Sequence, residues 1–412
     1  MATAWPRASL NAVRYAIRVS AAACVLALAP HASADWQGEI EIGTRLFNQS
    51  SGDSRNDRFD AFLAGEMSGY QDWDKGAKRI AWRAAVRWDS DDAQRNLLDL
   101  REAYFRVRKS GFELAIGVDQ VFWGVTEALH LVDVINQSDL AANPDSEDKL
   151  GQPMLRLSWT PAWGTWDVYA LPIFRERRFP GSAGRLRGPV RIVQAATQYE
   201  SADADRHLDF AIRYSHYLGG LDFAISHFSG TARQPILVPL PVSGNSALAG
   251  SIDVAPLYFL TDQTGLEASL VTGNWLLKAE ALSAREPQGR FTAVTAGVEY
   301  TLAQAMGEAD LGLIAEYQYD ERQSAIILAA QDDVVVGARV SLNDFAGTEV
   351  LMLASYDLDF SSHFASLEAS RRFGKHWRAS LESRWFVADD PRDALSLFDR
   401  EDYWQLAITR FF

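Results

Sequence analysis

From residue 35 onward, apolar and polar side chains alternate along most of the chain, and this pattern constrains the fold more than any other feature. Ile80, Trp82, Ala84, Val86 and Trp88 fall on one face of an extended segment, with Arg79, Ala81, Arg83, Ala85 and Arg87 on the other, because successive side chains of a strand point to opposite sides. Leu208, Phe210, Ile212 and Tyr214 repeat the pattern, as do Leu221, Phe223 and Ile225. Leu266, Ala268 and Leu270 precede a turn at Thr272-Gly273-Asn274, and Trp275, Leu277, Ala279 and Ala281 follow it. These are strands with two chemically different faces. Many extend about ten residues or more, whereas strands of soluble proteins usually stop near five or six. The longer ones match what is needed to cross a bilayer at a steep tilt.

The alternation predicts nineteen strands between 36 and 412, yet single-chain bacterial barrels use an even number. Counting turns inward from both ends gives opposite directions around 175–262. One of the predicted strands there (191–200, 206–216 and 220–229) is therefore in error, or one more hides in Ile252–Thr261. The expected fold is all-β: one transmembrane antiparallel β-barrel of about 18 strands, with 16 as the alternative, short periplasmic turns and long outer loops. The competing architecture is a soluble exported all-β sandwich or propeller, which accounts less well for the long amphipathic strands. Trp36, Trp73, Trp159, Trp163, Trp166, Trp377 and Trp404 sit near predicted strand ends, where an interfacial aromatic girdle belongs.

The ends of the chain agree with export. Arg7, Arg14 and Arg18 precede the apolar stretch Val19–Ala29, and Ala32-Ser33-Ala34 supplies small residues before Asp35. That order predicts a signal peptide over 1–34 and a single barrel domain over 35–412. Cys24, the single cysteine, lies within the leader, so no disulfide or catalytic thiol is expected. In the last strand Trp404, Leu406, Ile408, Arg410 and Phe412 share a face. A terminal phenylalanine on such a strand resembles the signal read by the barrel-insertion machinery, so Phe412 is the expected insertion signal. Arg410 departs from the usual apolar residue, but an arginine at a membrane edge reaches toward headgroups.

In a membrane barrel the polar face of each strand lines the lumen. Arg79, Arg83 and Arg87 then form a vertical ladder, with Glu102, Arg106 and Arg108 on the next strand. The set reads either as a track for anionic solutes or as internal ion pairs that hold the wall, and for any single arginine the second reading is preferred. Two loops stand out. The segment near 122–152 carries Glu127, Asp133, Asp139, Asp145, Glu147 and Asp148 against Lys149 alone. It also holds the apolar stretch Ala128–Ile135, which an exposed loop disfavours. The segment near 174–191 carries Arg175, Arg177, Arg178, Arg185, Arg187 and Arg191 against Glu176. Folded inward, the acids would face these arginines across a narrow mouth; otherwise the two loops are solvated, or pair with each other as a plug.

Other function classes fit poorly. A formal charge of −14 is the wrong sign for a nucleic-acid partner. No G-x-S-x-G, H-E-x-x-H or G-x-x-x-x-G-K-[ST] motif occurs. Ser215 and Ser226 neighbour His216 and His227 in sequence and so lie on opposite faces of their strands. No enzymatic activity, cofactor or metal is expected. The run Asn143-Pro144-Asp145-Ser146-Glu147-Asp148 lacks the spacing and glycine of an EF-hand loop and reads as a solvated acidic turn.

The chain resembles a family of uncharacterised Gram-negative outer-membrane β-barrel proteins, porin-like in type. The likeness covers most of 35–412. Its motifs are Trp123-Gly124, then Leu131-Val132-Asp133-Val134-Ile135-Asn136-Gln137-Ser138-Asp139-Leu140, and Glu147-Asp148-Lys149-Leu150-Gly151-Gln152-Pro153. Leu171-Pro172 before Phe174-Arg175, Arg185-Leu186-Arg187, Gln263-Thr264-Gly265, and Trp275 with Lys278 and Glu280 complete it. The resemblance implies a barrel in the outer membrane, in contact with lipid and lipopolysaccharide, and leaves the cargo open. The expected function is a channel for passive or weakly selective passage of small hydrophilic solutes. Rivals are an export or docking barrel for a polymer or secreted partner, and a structural barrel with a plugged lumen. Wide barrels often trimerise, so a homotrimer is among the expected states.

Overall fold

The computed structural model describes residues 35–51, 58–187, 190–241, 252–322 and 331–412; the expected signal peptide, 1–34, lies outside the described residues. The strands in chain order are β1 (Asp35–Phe47), β2 (Phe59–Trp73), β3 (Lys78–Asp89), β4 (Leu97–Lys109), β5 (Phe112–Asp119), β6 (Gln152–Trp159) and β7 (Thr165–Leu171). Next come β8 (Val190–Ile192), β9 (Gln198–Tyr199), β10 (Asp209–Leu218), β11 (Leu221–Thr231), β12 (Ile236–Pro239), β13 (Ile252–Tyr258), β14 (Leu260–Thr272) and β15 (Trp275–Glu286). The chain continues through β16 (Gly289–Met306), β17 (Ala309–Asp320), β18 (Asp332–Ser341), β19 (Glu349–Asp357), β20 (His363–Phe373), β21 (Trp377–Val387) and β22 (Tyr403–Phe411).

All but β8, β9, β12 and β13 join one 18-stranded antiparallel sheet, and β1 pairs with β22 to close it into a barrel. Closure leaves no strand edge, so every ladder has a partner on both sides, as lipid requires. Eight connections at one end are short; among them Ser110 and Gly111 both take positive φ (50° and 80°), the geometry of a tight hairpin turn. The opposite end carries the long segments 120–151, 172–208 and 232–259.

One predicted strand is not in the barrel. The stretch 191–200 is interrupted by a 3-10 turn at Gln194–Ala196, and its ends form β8 and β9. These pair in parallel with β13, which also pairs with β12. β13 is itself the strand hidden in Ile252–Thr261. The surplus strand and the hidden one thus belong to the same small sheet in the loops, and removing 191–200 from the nineteen leaves the eighteen of the barrel.

Outside, the apolar faces stand open. Ile42 (65% exposed), Val86 (53%), Trp88 (56%) and Ile408 (55%) are among many large apolar side chains on the outward positions. A water-soluble fold would bury such a belt; here lipid covers it. The aromatic girdle is built as neighbouring pairs near the turn end: Trp36 against Phe412, Phe112 stacked on Trp159, and Trp275 against Tyr300. Arg410 faces outward there with its guanidinium 5.4 Å from the Trp377 ring.

The packed core lies inside, under the loops. Met154, Tyr169, Leu171, Ala211 and Phe228, on the inner faces of β6, β7, β10 and β11, form an apolar patch covered by Trp123, Val132, Val134 and Ile135. A second cluster at the mouth joins Phe47, Phe386 and Tyr403 to Leu186.

Candidate functional site

The segment 120–151 leaves β5, turns into the lumen and reaches the far wall. Its course is set by carboxylates on the inner faces of distant strands. Glu280, on β15, accepts the N–H groups of Val125 (2.7 Å) and Thr126 (3.1 Å) on one oxygen and that of Val132 (3.2 Å) on the other. Glu316, on β17, accepts the next two N–H groups, those of Glu127 (2.6 Å) and Ala128 (3.1 Å). A loop folded into a barrel must find partners for backbone donors that no ladder serves, and these two side chains supply them. Glu127 itself meets Lys278 at 3.2 Å and Arg339 at 2.6 Å.

The stems are tied by side-chain amides. Asn136 donates to the carbonyls of Asp119 and Leu150 and accepts the N–H of Val121, closing the base of the loop. Gln137 donates to the carbonyls of Arg175 and Arg233 and accepts from Nε of Arg177. Two glycines make room. Gly124 has φ of +135°, and a Cβ there would meet Glu280 and His130 at 3.0 Å. A Cβ on Gly265 would come within 2.8 Å of Val132.

The arginine-rich loop packs on this one. Arg178 pairs with Asp139 and also donates to the Asn96 carbonyl at 2.7 Å. Arg175 reaches Asp99 of β4 at 2.7 Å and the carbonyl of Gly151 at 2.6 Å. Arg185 pairs with Glu401 at 2.8 Å and stacks over Phe47, while Arg187 is half-buried beside it. Arg191 pairs with Asp253 in the small sheet. Arg233 is buried between the rings of Phe174 and Phe228, donating to Asp209 and to the carbonyls of Val134 and Ile135.

Each acid of the loop has a cationic or imidazole partner close by, although Asp145 and Glu147 remain exposed. Asp133 meets Lys149 at 2.9 Å, Asp145 meets Arg384 at 3.3 Å, Asp148 meets Arg101 at 3.8 Å and Glu147 meets His130 at 3.4 Å. Burial pushes Asp145 up to about 6, with Arg384 opposing, and burial likewise raises Asp133 and Asp139. For Glu127 burial is outweighed by Arg339 and Lys278, which hold its carboxyl below the usual range. For His130 burial is outweighed by Glu280 and Glu147, which favour the protonated ring.

The ladder of β3 faces inward as its parity requires, but it is largely neutralised. Arg79 lies 2.7 Å from Asp72, and Arg83 pairs with Glu102. Arg106 and Arg108 both reach Glu113, at 3.8 and 2.6 Å. Arg87 forms no ion pair among the described residues and lies over the Phe62 ring. A bulge between Arg83 and Ala84 in the β3–β4 register brings Arg101 inward as well, 2.8 Å from Glu66. Alternation alone places Arg101 on the lipid side, so sequence reasoning missed it.

It also missed the roles of Glu280 and Glu316. The visible signal was the lapse of alternation at Val168-Tyr169-Ala170-Leu171, apolar on both faces, which marks a wall patch awaiting a cover. Beside the loop a cavity of about 290 Å³ lies against β18–β22, lined by Arg339, Glu349, Glu368, Arg378, Glu382 and Gln405 among others. Among the described residues no three histidine, cysteine, aspartate or glutamate side chains form a ready-made metal shell.

A closed antiparallel barrel with an apolar belt, short turns at one end and a long loop folded into the lumen defines a porin-like transmembrane β-barrel. No family model and no curated protein matches the chain. Among solved structures it is similar to a mutant porin of Rh. blastica, at 14% identity and a TM-score of 0.45, over 92% of this chain and 100% of that one. It is similar also to a loop-deleted form of OmpT, an outer membrane protein of Vibrio cholerae, at 9% identity and a TM-score of 0.47, over 92% and 99% of the two chains. At such identities the likeness is one of fold, and the chain's own strand pairing and apolar belt define the class.

Proposed function

We propose that the protein is an outer-membrane channel for passive or weakly selective passage of small hydrophilic solutes, with the 120–151 loop as its constriction. The observation that carries this reading is the seating of that loop on Glu280 and Glu316, on the far side of the lumen. A loop held there narrows the passage at a fixed height and leaves the polar cavity against β18–β22 beside it. That cavity mixes arginine and glutamate side chains, which suits solutes of either charge better than a strongly anion-selective track. The lipid-facing belt and terminal Phe412, exposed beside Trp36, fit insertion into the outer membrane by the barrel-insertion machinery, among lipopolysaccharide and phospholipid.

A plugged barrel is the second reading, favoured by the pairing of the two loops with each other through Arg178 and Asp139. Planar-bilayer recording of the refolded 35–412 chain separates the two. The channel reading expects steady single-channel currents in simple salt. A protein that inserts as a folded barrel yet carries no current at any voltage overturns it in favour of the plug.

A further inference from the structure

The inner faces of β20 and β21 meet in matched rows. Glu368 stands directly opposite Glu382, Ser370 opposite Ser380, and Arg372 opposite Arg378. Two acids, two hydroxyls and two guanidinium groups thus follow one another toward the turn end, successive rows about 7 Å apart. Arg378, both serines and both glutamates line the cavity beside the loop. The acid row is answered, since Arg384 lies 2.7 Å from Glu368 and 3.6 Å from Glu382. The arginine row is not. Among the described residues neither Arg372 nor Arg378 makes a side-chain hydrogen bond or an ion pair, and the buried Nε of Arg378 has no acceptor.

Both guanidinium groups lie against one ring, that of Phe411 on the inner face of β22, at 5.8 and 5.3 Å from its centroid. The ring gathers them at the rim of the lumen. Nearby carboxylates are engaged elsewhere: Glu382 accepts from Tyr403 and Gln405, Glu41 from Thr409, and Asp344 from Arg371. Glu39, across β22, and Glu349, opposite Ser370 on β19, both stay beyond ion-pair distance of the two arginines. Like charges directly opposite each other on neighbouring strands weaken the pairing, and a buried donor without an acceptor adds to the cost. The aromatic ring offsets part of this. An anion held between the two side chains would offset the rest.

We propose that Arg372 and Arg378 bind the oxyanion of a small solute, a carboxylate or a phosphate, at the turn-end mouth of the lumen. Guanidinium groups present paired N–H donors that match the oxygens of both anions. The hydroxyls of Ser370 and Ser380, one row further in, can donate to oxygens the arginines leave free. The site differs from the β3 ladder, where Arg79 and Arg83 already hold carboxylates. It rests on the channel reading in one respect, that the solute arrives through the lumen. It adds to that reading a local preference for anionic solutes, which the mixed charges of the cavity as a whole do not supply.

The test is isothermal titration calorimetry of the full 35–412 chain, refolded in detergent, with succinate and inorganic phosphate as separate probes and glucose as the uncharged control. Binding of either anion, and not of glucose, is expected, and the anion that binds names the solute class. Affinity should be about tenfold weaker in R372Q/R378Q. R378Q alone should weaken it in the same direction and serves if the double variant folds poorly. R371Q removes an outward arginine already held by Asp344 and should bind as the unaltered chain does. Binding of neither anion overturns the site, and so does a loss in R371Q equal to that in R372Q/R378Q. Planar-bilayer currents keep the two readings apart. Anion binding by a chain that carries no current upholds the site and removes the channel, whereas steady current without anion binding does the reverse.

Discussion

The backbone N–H of Val125 donates to Oε1 of Glu280 at 2.7 Å, joining positions 155 residues apart across the lumen. Thr126 and Val132 add their N–H groups to the same carboxylate, and the Thr126 hydroxyl adds a fourth donor at 2.7 Å. Replacing Glu280 by glutamine turns N–H groups toward N–H groups. The E280Q variant should weaken the seating of the loop by about 1.5–3 kcal/mol. Single-channel recording should then show higher conductance or more open-state noise. Traces indistinguishable from the unaltered chain would mean that this contact does not set the passage.

The arginines of β3 divide by their partners. Replacing Arg87 with glutamate should shift the reversal potential toward cation preference with little loss of stability, since no ion pair is broken. R79E and R83E would instead confront Asp72 and Glu102 and should lower stability more than they alter selectivity. Salt-gradient reversal potentials and urea unfolding in detergent check the two halves. Equal shifts in selectivity from all three would restore the ladder as one continuous track.

Arg233, just after β11, and Asp209 of β10 form a buried pair at 3.0 Å, and the same guanidinium holds the loop carbonyls of Val134 and Ile135. R233M removes the cation from Oδ2 of Asp209, while Thr231 and His207 still meet Oδ1, and the loss should be about 2–3 kcal/mol. The temperature at which the folded band disappears in detergent electrophoresis should fall clearly, and D209N in the same chain should recover part of it. Unchanged heat resistance in R233M would show that the loop is held without this pair.

Mild acid should tighten the loop. Asp145, raised to about 6 by burial, holds its proton more firmly folded than unfolded, so its contribution is present at low pH and lost as pH rises through about 6. His130 is raised also, by Glu280 and Glu147 against burial; its contribution is likewise lost as pH climbs past its folded value. Both signs agree. Hydrogen exchange of amides in 125–148, corrected for intrinsic rate, should be slower at pH 5 than at pH 8. Equal protection at the two values would refute the coupling.

Period-two alternation determined the strands, their inward and outward faces, and the barrel itself, because lipid on one side and water on the other impose a difference at every second residue. Arg79, Arg83, Glu102 and Trp88 all stand on the faces that parity assigns. Two things escaped that rule. The bulge beside Arg83 re-aims Arg101, and 191–200 alternates well enough to imitate a barrel strand while pairing only with loop neighbours. The path of 120–151 was decided by tertiary structure alone. The sequence carries Glu280, Glu316, Asn136 and Gln137 as isolated polar residues, and their purpose is set by loop amides far away in the chain. A strand reads its environment through its own period, but a loop in a lumen takes its course from whichever wall groups satisfy its backbone, and no local pattern encodes those partners.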